Sequence, residues 1–163
     1  MENKLYMPMS GEEIKSFSPN ANIIVYSDLY KYDRLPNLPC VILYEIAKGN
    51  GHWICLLETP EGIEHFDSYG LYPDEEFKFI PEDVKKILNE NHTYLVNLLL
   101  NSGEQINYQP IKFQGGGRIA TCGRHCCTRL LFPNHTTKQY ADMMEYTSNI
   151  LNKSPDEIVS LLI

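Results

Sequence analysis

Three short runs of strand-forming residues constrain the fold of this chain more than any other feature. They span residues 41–46, 53–57 and 63–66, and glycine-containing turns separate them at hairpin spacing. This arrangement predicts a three-stranded antiparallel meander. An additional strand is predicted at 23–26, after a short helix whose start is marked by the capping-box spacing of Ser10 and Glu13.

The sequence becomes mainly helical after residue 80. The predicted helices there begin with Pro81, span 121–132 and 140–151, and end with a terminal helix capped by Ser154. Two further segments favour strands: the buried-type apolar run 94–100, and the run 106–113, which Pro110 breaks. We therefore expect a single α+β domain over residues 1–163, with a mixed, largely antiparallel central β-sheet flanked by helices.

Composition narrows the class of protein. The formal net charge of -7 disfavours nucleic acid as the main partner. No apolar run reaches the roughly 20 residues that cross a bilayer, and the N-terminus lacks the apolar segment of a secretory signal. We expect no membrane association and an intracellular protein. Five cysteines, two of them adjacent at positions 126 and 127, favour reduced thiols over disulfides.

The run from Cys122 to Cys127 stands where the glycines 115–117 give way to a predicted helix. Backbone N–H groups at a helix N-terminus favour an anion, so a cysteine at that position is suited to react as a thiolate. Cys122 is therefore the candidate nucleophile.

A base and an orienting carboxylate are predicted from the meander. His52 lies at the start of its second strand, and Asp67 directly follows the third. If the two strands pair, these ends meet at one rim of the sheet. His52 would then accept the thiol proton while Asp67 holds the other ring nitrogen.

An amide completes the constellation. The Gln114 side chain, beside the glycine loop, and the backbone N–H of Cys122 are the candidate donors to a developing oxyanion. Gln109 is the competing amide, but Pro110 and the following strand-like residues separate it from the loop.

Each residue also has a structural interpretation. A cysteine before a helix is usually a small buried hydrophobe, Asp67 suits a turn, and Gln114 suits an ordinary loop. Cys40 and Cys55 are expected in the core. The remaining histidines without a partner pattern are expected on the surface: His65, His92 and His135. No metal site is expected, since ligands crowded into 122–127 cannot converge as separated zinc-ligand pairs do.

The ordered set Gly51-His52-Trp53, Phe66 to Gly70, Gln114 and Cys122 to Cys127 resembles the adenain family of adenovirus maturation proteases. More broadly it is similar to the cysteine-protease clan that includes SUMO-deconjugating enzymes. The resemblance covers about 41–132 and implies a mixed sheet with helices on both sides and the nucleophile at the N-terminus of the central helix.

The resemblance gives Cys122, His52, Asp67 and Gln114 the roles of nucleophile, base, orienting acid and oxyanion donor. It implies that Trp53 flanks the substrate channel. We also expect Gly123, beside the nucleophile, to contact substrate, and Cys126 and Cys127 to be packing residues.

The chain departs from adenain at three places. Asp67 replaces a glutamate, the loop from Gln114 to Cys122 is one residue longer, and Arg124 and His125 stand where apolar residues are frequent. Adenain is activated by a basic peptide and by DNA. This acidic chain has no obvious DNA surface, so we expect no cofactor.

The predicted function is a cysteine endopeptidase that trims capsid or other virion precursors, in a virion or host cytoplasm. The resemblance implies small residues, glycine especially, before the scissile bond. One rival is a deubiquitinase or SUMO protease acting on host conjugates. Others are an acetyltransferase using the same thiol, without an evident phosphate pocket, and a catalytically silent binding protein.

Overall fold

A computed structural model describes residues 2–163, so Met1 lies outside the described part. The helices of that part are α1 (Glu2–Leu5), α2 (Gly11–Phe17), α3 (Glu82–Ile87), α4 (Tyr94–Leu100), α5 (Cys122–Leu130), α6 (Thr137–Leu151) and α7 (Pro155–Leu162). The strands are β1 (Asn22–Val25), β2 (Cys40–Ala47), β3 (Asn50–Thr59), β4 (Gly62–Phe66) and β5 (Ile106–Tyr108). Two short 3₁₀ helices cover Tyr26–Lys31 and Glu75–Phe79.

The strands of residues 2–163 form one mixed sheet in the order β1-β2-β3-β4-β5. The central pairings, β2 with β3 and β3 with β4, are antiparallel, so the predicted meander is confirmed. The two outer pairings, β1 with β2 and β4 with β5, are parallel. The fold is α+β, with more parallel pairing than expected.

Alternation along the strands divides the buried side chains between two cores. Val41, Leu43 and Cys55 point to one face and pack with residues of α5, α6 and α7. Ile42 and Ile54 point to the other face and pack with α4 and the first 3₁₀ helix. Because both faces are covered, the interior strands are buried on both sides, and α5 lies against β3 at the centre of the molecule.

The strand prediction for 94–100 is wrong, because this segment is helix α4. Leu95, Leu98 and Leu99 are buried at helical spacing, whereas Leu100 is 74% exposed. A continuous apolar run hides this one-sided pattern, and run length alone does not separate a buried strand from a short helix. The sheet edge beside β4 is occupied instead by β5.

The run 106–113 is a strand only at Ile106–Tyr108, which pairs with β4. Pro110 has no N–H to donate, and the chain beyond it leaves the sheet to form the loop that leads to α5. The predicted capping boxes at Ser10 and Ser154 are both present. Within residues 2–163, the helices are all too short or too polar to span a lipid bilayer.

The surface placement of His65 is wrong, since its side chain is only 1% exposed. It lies in β4, which is covered on both faces, and neither ring nitrogen has a hydrogen-bond partner among the described residues. Burial lowers the pKa of His65 to about 4. His92 is exposed as expected, and His135 is half-buried.

Candidate active site

The site is built around the first turn of α5. Cys122 is its first residue, and the preceding Thr121 makes no side-chain cap to the helix. The Thr121 hydroxyl instead donates to Asp156 at 2.6 Å. The N–H groups of the first helical turn are therefore uncapped beside Cys122, and such groups stabilise anions.

The meander brings the predicted base and acid together. The antiparallel register pairs Cys55 of β3 with Phe66 of β4, so the residue after β4 lies beside the beginning of β3. His52 Nε2 is 2.8 Å from Asp67 Oδ1, and both side chains are almost fully buried. A carboxylate only accepts, so the hydrogen of this bond is on Nε2.

Opposing effects act on the imidazole. Burial lowers the pKa of His52, but the charge of Asp67 and hydrogen bonds to Asp67 and Cys122 outweigh it and raise the pKa well above its ordinary value. A raised imidazole pKa favours the protonated form, which is the partner that a thiolate requires.

The thiol of Cys122 faces the start of β3. Its Sγ accepts a 3.4 Å hydrogen bond from the backbone N–H of Trp53, and its interaction with the imidazole contributes to the raised pKa of His52. Because Asp67 engages Nε2, Nδ1 is the ring nitrogen left to face the thiol. The three groups thus stand in the sequence thiol, imidazole, carboxylate.

Tyr69 is part of the site, although its role was not anticipated. Its ring stacks on the imidazole of His52, with centroids 4.6 Å apart, and its backbone N–H donates to Asp67 Oδ1 at 2.8 Å. Its position two residues after Asp67 is the sequence signal that could have indicated this role. Tyr69 covers one face of the imidazole and restrains the group that orients it.

Gln114 and Gln109 occupy different environments. Gln114 Oε1 accepts a 2.7 Å bond from the Ser68 hydroxyl, and its Nε2 makes only two long contacts, 3.3 Å each, to Tyr69 and Ile119. The amide of Gln109 instead holds the backbone of Ile111 and the carbonyl of Asp67. Gln114 therefore has the N–H group that a substrate can redirect.

A cleft of about 350 Å³ joins these groups. Its walls include His52, Tyr69, Gln114 and Cys122, together with Gly117 to Ala120 of the loop before α5. Three of the four predicted catalytic residues thus line one cleft, and the fourth, Asp67, is buried behind His52.

The two predicted substrate contacts lie elsewhere. The Trp53 indole is 4% exposed in the core, where its N–H donates to the carbonyl of Met9 at 2.9 Å. A side chain at Gly123 would meet Met9 Cβ at 3.0 Å, so this glycine permits the close approach of the N-terminal segment. Neither residue lines the cleft, and Trp53 contacts the Cys122 thiol through its backbone N–H.

Asp156 of α7 fixes the loop before the nucleophile. Its carboxylate accepts from the backbone N–H of Gly115 at 2.8 Å, from Thr121, and from His125 Nε2 at 2.9 Å. Burial raises its pKa, but the bonds from His125, Thr121 and Gly115 outweigh this, and the pKa is lowered. One carboxylate therefore joins both ends of the loop between the candidate oxyanion donors, Gln114 and Cys122.

The other cysteines are not placed for nucleophilic chemistry. The thiols of Cys40, Cys55, Cys126 and Cys127 are all buried, as predicted for core or packing residues. Burial raises the pKa of Cys40 to about 12 and that of Cys127 to about 11. His125 is directed to Asp156 rather than to a thiol-rich metal site.

Glu76 is a second carboxylate near the imidazole, and local sequence gave no signal for it. It is 8% exposed, lines the cleft, and reaches within 4.8 Å of the ligand-type atoms of His52 and Asp67. Burial raises its pKa, the His52 charge opposes this, and the Asp67 charge adds to it, with a net increase.

Comparison with known proteins gives one family relationship. The chain is 35% identical over 149 residues to the uncharacterized protein V9 of Sputnik virophage, covering 87% of this chain and 85% of that protein. The chain belongs to the family of this viral protein. No protein-family model matches it, and no solved structure does.

Proposed function

We propose that the protein is a cysteine endopeptidase with Cys122 as nucleophile, His52 as general base and Asp67 as orienting carboxylate. The observation that carries the proposal is the buried His52–Asp67 hydrogen bond of 2.8 Å beside a thiol at a helix N-terminus. A structural cysteine requires neither a protonated imidazole nor an uncapped helix end.

The proposed reaction follows from the positions of these groups. The Cys122 proton resides on His52, and the sulfur attacks the carbonyl carbon of the scissile peptide bond. The oxyanion accepts hydrogen bonds from the Cys122 backbone N–H and from Gln114 Nε2. His52 then protonates the leaving amine, which leaves a thioester on Cys122.

Deacylation uses the same residues in reverse. His52 removes a proton from an incoming water molecule, which attacks the thioester carbonyl. The carboxylic acid departs as the sulfur takes back the electrons of the C–S bond, and the Cys122–His52 pair is regenerated. Asp67 and the stacked ring of Tyr69 keep the imidazole in one orientation throughout.

The proposed substrates are capsid or other virion precursor proteins, cleaved after small residues, glycine especially. A viral relative and the resemblance to viral maturation proteases support this choice. The cleft lined by Cys122 and Gln114 is open to solvent at the surface, as cleavage of an extended chain requires.

Proteome-derived peptides provide a test that needs no known substrate. Wild-type protein should generate new N-termini whose preceding residues share a motif rich in glycine, while Cys122→Ala and His52→Ala should generate none. Cleavage by wild type that persists in Cys122→Ala would exclude this cysteine as the nucleophile. No cleavage by wild type of peptides or of virion precursors would favour a binding protein.

Ubiquitin and SUMO probes with C-terminal vinyl electrophiles test the deconjugating rival. A viral endopeptidase should not form adducts with these folded proteins, but a peptide electrophile ending in glycine should label Cys122. Rapid labelling by a ubiquitin-like probe, without peptide cleavage, would replace the endopeptidase with an isopeptidase.

A further inference from the structure

The hydrogen-bonded residues His52 and Asp67 have a polar neighbour, Glu76, that the proposed reaction does not use. Glu76, in the second 3₁₀ helix, places a carboxylate oxygen within 4.8 Å of ligand-type atoms of both His52 and Asp67. All three residues are buried. Two carboxylates and one imidazole thus converge in a small volume at the cleft.

The Glu76 carboxylate is incompletely satisfied. The residue is only 8% exposed, and its Oε2 is buried without a hydrogen-bond partner among the described residues. Buried carboxylate oxygens are ordinarily paired with a donor or a cation. The carboxylates of Asp67 and Glu76 already have His52 on one side. A positively charged ligand would complement the negative charge that remains.

We propose that His52, Asp67 and Glu76 bind a Zn²⁺ ion that switches off proton transfer by His52. Zinc takes one nitrogen and two carboxylate oxygens as protein ligands and leaves a fourth position for water. Tetrahedral coordination separates the ligand atoms by about 3.3 Å. The present separations, from 2.8 Å to at most 4.8 Å, reach that value by small side-chain rotations.

Charge and access both suit this ion. A neutral imidazole with two carboxylates supplies a formal charge of -2 opposite the divalent cation. The cleft that exposes Cys122 is also lined by His52 and Glu76, and it gives the ion an entry path.

Zinc at this position would block proton transfer. The ion takes the lone pair of His52 Nε2, and the proton on that nitrogen is released to solvent. Nδ1 keeps the proton it took from Cys122, but a neutral zinc-bound imidazole is a far weaker acid than an imidazolium, so it no longer protonates the leaving amine. The inhibitory effect rests on the proposed function, whereas binding of the ion does not.

Binding should therefore be measured in Cys122→Ala, which removes the thiol as a ligand. Titration with Zn²⁺ against a chromophoric chelator should give one tight site per chain. The double variant Cys122→Ala/Glu76→Gln should bind at least about 100-fold more weakly, since loss of outer-shell partners alone costs about 10- to 100-fold. Glu75→Gln in the Cys122→Ala background is the matched control and should bind as Cys122→Ala does, because Glu75 bonds with Tyr72 and Lys78 instead.

Co²⁺ substitution provides a readout that does not depend on whether the Glu76 variant folds. Cys122→Ala loaded with Co²⁺ should show paramagnetically shifted signals from the His52 ring and no thiolate charge-transfer band. Three results would each overturn the proposal: no tight site in Cys122→Ala, unchanged affinity in Cys122→Ala/Glu76→Gln, or unshifted His52 signals. Inactive wild-type protein that still binds zinc in this way would refute the proposed function alone.

Discussion

Asp67 Oδ1 accepts hydrogen bonds from both His52 Nε2 and the backbone N–H of Tyr69, each at 2.8 Å. The Asp67 carboxylate, which orients the imidazole, is thus itself held by the backbone of Tyr69. Tyr69 also stacks on the imidazole it helps to position. The orientation of His52 is therefore set by the three residues 67–69, which directly follow β4.

Replacing Asp67 with asparagine should separate orientation from base chemistry. We expect kcat/KM to fall about 10²-fold or more while the fold is kept, whereas His52→Ala should be nearly inactive. The Asp67 charge raises the pKa of His52, so its loss lowers that pKa. The basic limb of the pH–rate profile should consequently move to lower pH.

Circular dichroism of Asp67→Asn should match wild type, as the control for folding. Full activity across the whole pH profile would remove Asp67 from the site and leave a Cys122–His52 dyad.

The two buried amides should respond differently to alanine. Gln114→Ala removes the proposed oxyanion donor and should lower kcat by about 10² to 10³-fold with little change in KM. Gln109→Ala should leave kcat nearly unchanged but lower the free energy of unfolding by about 1–3 kcal/mol, because it strands the backbone groups of Ile111. Steady-state kinetics and urea unfolding on both variants measure the contrast, and the opposite ranking would identify Gln109 as the donor.

Asp156 should affect both stability and turnover, although it lies on the last helix. Asp156→Ala leaves the Gly115 N–H, Thr121 hydroxyl and His125 ring without their acceptor, and should cost about 3–5 kcal/mol of unfolding free energy. Below its melting temperature the variant should also have reduced kcat, because the loop before Cys122 is released.

Glu157→Gln is the control on the same helix. Glutamine still accepts from the Ser154 backbone in the capping box, so both properties should stay near wild type. Unchanged kcat in folded Asp156→Ala would show that the loop does not need this anchor.

Much of the fold was predictable because its signals are local. The three strand-forming runs of the meander are separated by short glycine-containing turns. Ser10 and Ser154 each cap a helix and stand three residues before a glutamate. Helix α4 was missed because a continuous apolar run has no visible period. The burial of His65 was missed because the sequence of β4 resembles an exposed edge strand of a hairpin, whereas β5 and the helices cover it.

The core of the candidate site was predictable for a related reason. His52 and Asp67 lie at adjoining ends of two paired strands, so hairpin geometry alone brings them together. Glu76 and Asp156 reach the site from segments with no pairing signal to the rest of it. Such long-range contacts depend on how loops and helices pack, which no local pattern encodes.

Burial of His65 should make the protein sensitive to acid. Its pKa is about 4 in the folded state against an ordinary 6.5, so the unfolded chain binds a proton first as the pH falls. The neutral form favours folding above pH 6.5, and this contribution, about 3 kcal/mol, is lost between pH 6.5 and 4. His65→Leu should therefore lose that much less unfolding free energy than wild type across this range.

Urea unfolding at several pH values measures this difference. The exposed His92, replaced by leucine, is the control for the general effect of a histidine-to-leucine change. An equal loss in His65→Leu and wild type would show that His65 does not titrate as a buried neutral group.

Selective alkylation of the five cysteines tests the central claim most directly, since it requires no substrate. Limiting iodoacetamide at about pH 6, followed by peptide mass spectrometry, should label Cys122 almost alone, because ordinary thiols are protonated there. His52→Ala should abolish this preference, while His92→Ala should retain it. Dominant labelling at Cys40, Cys55, Cys126 or Cys127, or labelling of Cys122 that is indifferent to His52, would contradict the account.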